Sequence, residues 1–435
     1  MRQEKSNARS VLIKGGQLID PASKVNATAD VLLRDGHVAE IAPPNKIRGA
    51  DETFDARGLI VAPGFIDLHV HLREPGQSYK ETIASGTAAA AAGGFTSVCC
   101  MPNTTPVVDS PDWVAWLRQP QRGAVVNVFP VAAATQASKG AVLTDFRGLQ
   151  RAGAVAVSDD GRPILNESTM REALRLGAEI GLPVIQHAED TRMTENCSMN
   201  ESPTSFRLGL RGMKPEAEAS IVERDVQLAQ QFTGTRYHVA HLSTADALKA
   251  VRRGKRGKAH VTCEVTPHHF TLLEVDVQDY NTNFKMNPPL RSVEDREAVL
   301  VALADGTVDA IASDHAPHAL HEKMVEFEKA AFGITGLETA LGLAITRLHR
   351  DHRVPLTRIV ELFSAGPARV VGLSGRGTLI RGSYADVTIF DPKKHWTFDA
   401  ARSRSKSRNT PFDGWQLTGK VVATIVSGRF VYRVD

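Results

Sequence analysis

The chain has 435 residues, 42% hydrophobic and 23% charged, enough for one large core plus a smaller unit and too apolar for intrinsic disorder. A formal net charge of +3 with dispersed Lys and Arg argues against nucleic acid or a membrane surface as partner. With no signal-like N-terminus and no run of about 18 apolar residues, the expected location is cytoplasmic, where Cys99, Cys100, Cys197 and Cys263 read as reduced thiols.

Short alternating stretches at residues 11–14, 31–34 and 38–41, separated by Gly, Asp and Pro turns, predict antiparallel β-structure at the start of the chain. From residue 63 the pattern changes. Apolar runs at 65–71, 95–100, 125–131, 154–158, 182–187, 235–241, 259–264 and 308–314 alternate with longer segments of helical pattern, among them 82–92, 167–180 and 216–231. Eight such units predict a (β/α)8 TIM-type barrel, with 191–215 as an inserted loop. Further alternating runs at 385–390, 421–426 and 430–432 return to β-structure, so both termini are expected to pair into one small β-sandwich domain. The expected division is 1–62 and 366–435 for that domain and 63–365 for the barrel. Arg402, Arg404, Lys406 and Arg408, interleaved with serines, read as a solvated loop.

In Phe65-Ile66-Asp67-Leu68-His69-Val70-His71, strict alternation would put Asp67, His69 and His71 on one face of a strand and Ile66, Leu68 and Val70 on the other. The two imidazoles fall at the carboxyl end of the strand, the catalytic end of a parallel barrel. A His-x-His pair supplies only two ligands, whereas a zinc site takes three or four. Other apolar runs end in Asp159-Asp160, His187, His241 and Asp314, and a closed barrel brings strand ends together around one cavity. Four imidazoles and two carboxylates are a donor set for two borderline divalent cations.

These residues lie in longer motifs: Pro63 to Gly76; Met101-Pro102-Asn103-Thr104; Asp159-Asp160-Gly161; Gln186-His187-Ala188-Glu189-Asp190; His238 to Thr244; Ser313-Asp314-His315-Ala316-Pro317-His318; and Asn409 to Trp415. Together they resemble the amidohydrolase superfamily and, within it, the bacterial type I dihydroorotases, over nearly the whole length. The resemblance implies a cyclic amide hydrolase of de novo pyrimidine biosynthesis with two Zn2+ per subunit. It places His69, His71 and Asp314 on one metal, His187 and His241 on the other, and Asp160 between them. The step from Asp160 to His187 and the following glycine favour Asp160 over Asp159, which is left to orient the loop. Many relatives bridge the metals with a carbamylated lysine. The acid here departs from dihydropyrimidinases and most allantoinases, the nearest rival readings.

By the same resemblance, metal-activated water attacks the ring amide carbonyl and Asp314 shuttles the proton as the catalytic acid/base. Arg73 grips the carboxylate of carbamoyl-aspartate or dihydroorotate, a role suited to a planar, permanently charged fork. His71, Asn103, Asn287, His318 and the Phe332-Gly333 backbone complete the substrate contacts. A homodimer is expected, with possible aspartate carbamoyltransferase association; a ligand-poor scaffold for that enzyme is the third reading, against which all six ligand positions are filled. Asp67 is expected to orient a ligand, His238 to pack in the wall, His268, His269 and His315 to be structural or supporting, and His321 and Glu322 to be solvated.

Overall fold

The computed structural model describes residues 10–434. The first strands are β1 (Ser10–Asp20), β2 (Val25–Arg34), β3 (His37–Ala42), β4 (Glu52–Asp55) and β5 (Ile60–Pro63). Next come β6 (Phe65–Val70), β7 (Phe95–Cys100), β8 (Asn127–Ala132), β9 (Ala156–Val157) and β10 (Val184–Gln186). A short parallel pair, β11 (Met199–Asn200) and β12 (Gly212–Met213), precedes β13 (Arg236–Val239), β14 (His260–Val265) and β15 (Ala310–Ile311). The chain ends with β16 (Val387–Thr397), β17 (Gln416–Val426) and β18 (Arg429–Arg433).

Eight parallel strands, β6 to β10 and β13 to β15, pair in chain order with helices between them, the expected (β/α)8 architecture. The ring closes just beyond the strands, where His71 N–H donates to His315 O at 2.9 Å. Both termini build the second sheet, in the order β18-β17-β16-β5-β1-β2-β3 with β4 also beside β1. Its antiparallel ladders are joined by parallel pairs of β1 with β4 and β5, around an apolar core that includes Ile13, Val31, Val61, Ile389 and Ile425. The strand at residues 60–63 thus joins the terminal sheet through β16, two residues before the barrel begins.

Local chemistry explains the helix limits. Thr82 Oγ1 accepts from Ser85 N–H at 3.0 Å while Ser85 Oγ accepts from Thr82 N–H at 3.1 Å, capping Ile83–Ala92. Asn166 caps Glu167–Ile180, and left-handed Gly181 stops it. The insertion at 191–215 carries the β11–β12 pair and helix Pro203–Leu208 rather than plain loop.

Inside the barrel, Ile66, Leu68, Val131, Ile185, Ala310 and Ala312 form an apolar floor closed by Ala368, Val370 and Val371 of helix Ala365–Val371. Phe65, Val70 and Phe95 belong instead to the shell between strands and helices. Strict alternation therefore fails in β6: Ile66 and Leu68 face the lumen, Val70 faces out, and register with β7 shifts between Asp67 and Val70. This bulge slips the pattern by one residue and re-aims the side chains beyond it. Asp67 sits in the gap, accepting from His69 N–H and Ser313 N–H, both at 3.1 Å. All four cysteines are buried and free.

Candidate active site

The carboxyl ends of the strands bring His69, His71, Asp160, His187, His241 and Asp314 together, each buried. Two triads of donor atoms form, His69–His71–Asp160 and Asp160–His187–His241, with Asp160 common to both. Asp314 Oδ1 lies 3.2 Å from His71 Nε2 and 3.6 Å from His69 Nε2. The inward turn is imposed by the backbone: His241 has φ of 32° and Asp314 of 44°, left-handed values that non-glycine residues adopt at a cost of about 1–3 kcal/mol. Ala240 and His241 consequently both point into the barrel, which a regular strand forbids.

The imidazoles are set by carboxylates behind them. His69 Nδ1 is 3.1 Å from Glu264 Oε1; because a carboxylate only accepts, the proton sits on Nδ1 and Nε2 presents a lone pair. That Nε2 faces Asp160 Oδ1 at 3.3 Å, and both atoms are buried without a hydrogen-bond partner. His187 is the mirror case: Nε2 is 2.9 Å from Glu189 Oε2, leaving Nδ1 to face Asp160 Oδ1 at 3.7 Å and His241 Nε2 at 2.9 Å. Lone pairs converging in a buried space repel unless a cation lies among them. An anion ringed by imidazoles fits a divalent metal of the zinc type.

The cavity above this cluster has a volume of about 290 Å³. Of the residues expected at the substrate, His71, Arg73, Asn103, Asn287, His318 and Phe332 line it, together with Gly161, Met286 and Ala316. Gly333 sits behind the wall: its N–H donates to Lys285 O and its carbonyl accepts from Asn409, both at 3.0 Å. A Cβ at Gly333 would lie 2.6 Å from Ala316 O, so only glycine lets these two loops approach. Asn103 bridges the two halves, with Oδ1 2.9 Å from His71 Nδ1 and Nδ2 donating to Asp160 Oδ2 at 3.1 Å. Asn287 Nδ2 donates to Glu189 Oε2 at 2.9 Å.

Arg73 is buried, left-handed at φ of 62°, and among the described residues has no carboxylate within ion-pair distance. Its Nε donates to Pro317 O at 3.0 Å, and its Nη2 is 3.2 Å from His318 Nε2. Desolvation lowers its pKa, offset in part by Asp314 and Asp160. His318 Nε2 lies 2.8 Å from the carbonyl of Phe332, an acceptor that requires the proton on Nε2. Burial, with Arg73, Lys80 and Lys323 nearby, pushes the His318 pKa down to about 3, so the ring is neutral.

Asp159 turns away from the imidazoles and accepts from Thr135 N–H at 2.9 Å and from the Thr135 hydroxyl, orienting that loop. Asp67 holds the backbone of His69 rather than its ring. His269 is tied to Thr266 Oγ1 and Pro288 O at 2.8 and 3.0 Å, and His315 to Glu81 at 3.3 Å. His238, expected to pack in the wall, is buried with Nε2 3.2 Å from Oε2 of Glu264, the carboxylate that holds His69. Glu322 is half-buried rather than solvated, pairing with Lys80 at 2.8 Å. Sequence reasoning misses Glu189 and Glu264 as supports, although each is an acid at or just past the end of an apolar run.

Comparison with known proteins agrees with this geometry. A family model described as Dihydro-orotase-like matches residues 58–247. The chain is 50% identical to a dihydroorotase of Solibacter usitatus, with 96% of this chain and 97% of that one covered. It is 48% identical to a dihydroorotase of Citrifermentans bemidjiense, with 98% and 100% covered. Among solved structures, L-hydantoinase (dihydropyrimidinase) from Arthrobacter aurescens superposes with a TM-score of 0.86 at 26% identity, covering 97% of this chain and 96% of that one. Full-length identity at this level, over a barrel whose strand ends gather these histidines and acids, makes the chain a member of the dihydroorotase family.

Proposed function

We propose that the chain catalyses the reversible cyclisation of N-carbamoyl-L-aspartate to (S)-dihydroorotate and water, with two zinc ions at the barrel mouth. His69, His71 and Asp314 would hold one ion, His187 and His241 the other, with Asp160 shared. Bound there, the ions would polarise the amide carbonyl and lower the pKa of water.

The chain's own residues do the rest. In the hydrolytic direction water adds to the ring amide carbonyl, the carbon–nitrogen bond breaks, and the nitrogen becomes the terminal ureido nitrogen. Asp314, against His71 and lining the cavity, takes the proton from water and delivers it to that nitrogen. Glu264 and Glu189 hold His69 and His187 with the correct nitrogen inward. Arg73 receives the substrate's free carboxylate while His318, Asn103 and Asn287 stand around it.

One observation carries the choice of substrate. A buried guanidinium with no carboxylate partner among the described residues lines the same cavity as the donor cluster, and leaving it unpaired costs several kcal/mol that an anionic ligand would recover. Hydantoin, dihydrouracil and allantoin carry no such carboxylate, so the hydantoinase likeness describes the shared fold and Arg73 separates the substrates. Ultraviolet assay of dihydroorotate hydrolysis beside those three compounds, with and without chelator, tests the reading. Turnover of dihydroorotate alone, abolished by chelator and restored by Zn2+, is expected. Preference for a neutral ring, or full activity in chelator, overturns it.

A further inference from the structure

We infer that Asn409, on a strap from the C-terminal part of the chain, is the positioning residue that sets the carboxylate grip of Arg73 and His318. The inference rests on the function proposed above. The basic residues of the 402–408 loop are exposed as expected, while the residues between them are not. Burial alternates along it: Arg404, Lys406 and Arg408 are exposed, while Ser405, Ser407 and Asn409 are buried. Glu81 accepts from the Ser405 hydroxyl and Lys406 N–H, and Ser407 Oγ donates to Lys80 O at 2.6 Å, anchoring the strap to the loop that comes after Arg73.

Asn409 is 5% exposed and every polar group of its side-chain amide is used. Its Nδ2 donates to Ala316 O at 2.9 Å and to Gly333 O at 3.0 Å, and its Oδ1 accepts from His318 N–H at 2.9 Å. The groups that aim the guanidinium lie between these anchors. Pro317 O, which holds Arg73 Nε, is flanked on both sides by residues bonded to Asn409. Phe332 O, which fixes the His318 ring, adjoins Gly333. Pro317 has no N–H of its own, so the direction of its carbonyl is left to Ala316 and His318. One side chain thus ties together the two loops that orient the grip, without touching the cavity itself.

The test is steady-state kinetics of dihydroorotate hydrolysis on the full chain with its metal content measured. Asn409→Ala is expected to raise KM roughly tenfold, the worth of about one charge-assisted hydrogen bond, with kcat within about threefold and metal content unchanged. In an Arg73→Ala background the same substitution should raise KM far less, because the guanidinium it positions is gone. An unchanged KM in soluble Asn409→Ala, or an equal rise in both backgrounds, overturns the inference. If Asn409→Ala is insoluble, Asn409→Ser, which keeps one hydroxyl, is read by the same two criteria. Wild-type protein that does not turn over dihydroorotate would instead overturn the proposed function.

Discussion

The apolar lumen and the polar mouth of the same barrel are built on opposite rules. At the floor, Ile66, Leu68, Val131 and Ile185 pack with Ala368, Val370 and Val371 of helix Ala365–Val371 in one apolar cluster. At the mouth, imidazoles and carboxylates are buried with atoms left unpartnered, Arg73 is a buried cation with no carboxylate partner among the described residues, and Arg73, His241 and Asp314 all have left-handed backbones. Stability is gathered below and given up above. Features that lower stability are kept where a ligand can offset them.

Four measurements would break or sharpen that contrast. The largest effect belongs to Asp314→Asn: kcat should fall roughly 10²–10⁴-fold, the usual worth of a positioned acid/base, with substantial metal retained by elemental analysis. Retained turnover would remove Asp314 from proton transfer. At the floor, Val131→Ala should cost about 2 kcal/mol in urea unfolding by deleting two buried methyl groups, with KM and kcat unmoved. A loss of activity at equal stability would mean that floor and mouth are not separable.

Arg73→Lys should raise KM for dihydroorotate about tenfold, since an ammonium loses the two-pronged geometry, with stability unchanged or higher. A wild-type KM would detach Arg73 from the substrate carboxylate. The smallest effect concerns Lys323, whose ammonium donates to Thr282 O and Ala331 O under the mouth loops at 2.8 and 2.7 Å. Burial lowers its pKa from 10.5 to about 7. The unfolded chain holds that proton up to the higher value, so it binds more protons than the folded chain between the two. Stability should therefore rise with pH across that window, by at most about 1.4 kcal/mol per pH unit, and Lys323→Met should flatten the rise. An unchanged slope in the variant would show that the buried ammonium keeps its proton through its carbonyl partners.

Much of the architecture was legible because it depends on period and punctuation. Apolar runs spaced by helical segments predicted the barrel, and the segments expected at 82–92 and 167–180 form helices Ile83–Ala92 and Glu167–Ile180. The donors were legible because each ends an apolar run. What failed was strict alternation: the bulge in β6 and the left-handed turns at His241 and Asp314 are settled by neighbouring strands, and no local pattern announces them. The strap shows a similar limit. Charge counting suggested solvent, while the alternation of basic residues with Ser and Asn already carried the signal of one buried face.

The sequence by itself determined which chemical groups stand at the strand ends and that those strands form one parallel barrel, because hydrophobic period and capping act over a few residues. Only the tertiary structure decided which nitrogen of each histidine turns inward, that Arg73 is buried with no carboxylate partner among the described residues, and that Asn409 reaches loops tens of residues away. Those facts depend on hydrogen bonds between segments distant along the chain, and such bonds exist only once the barrel has closed.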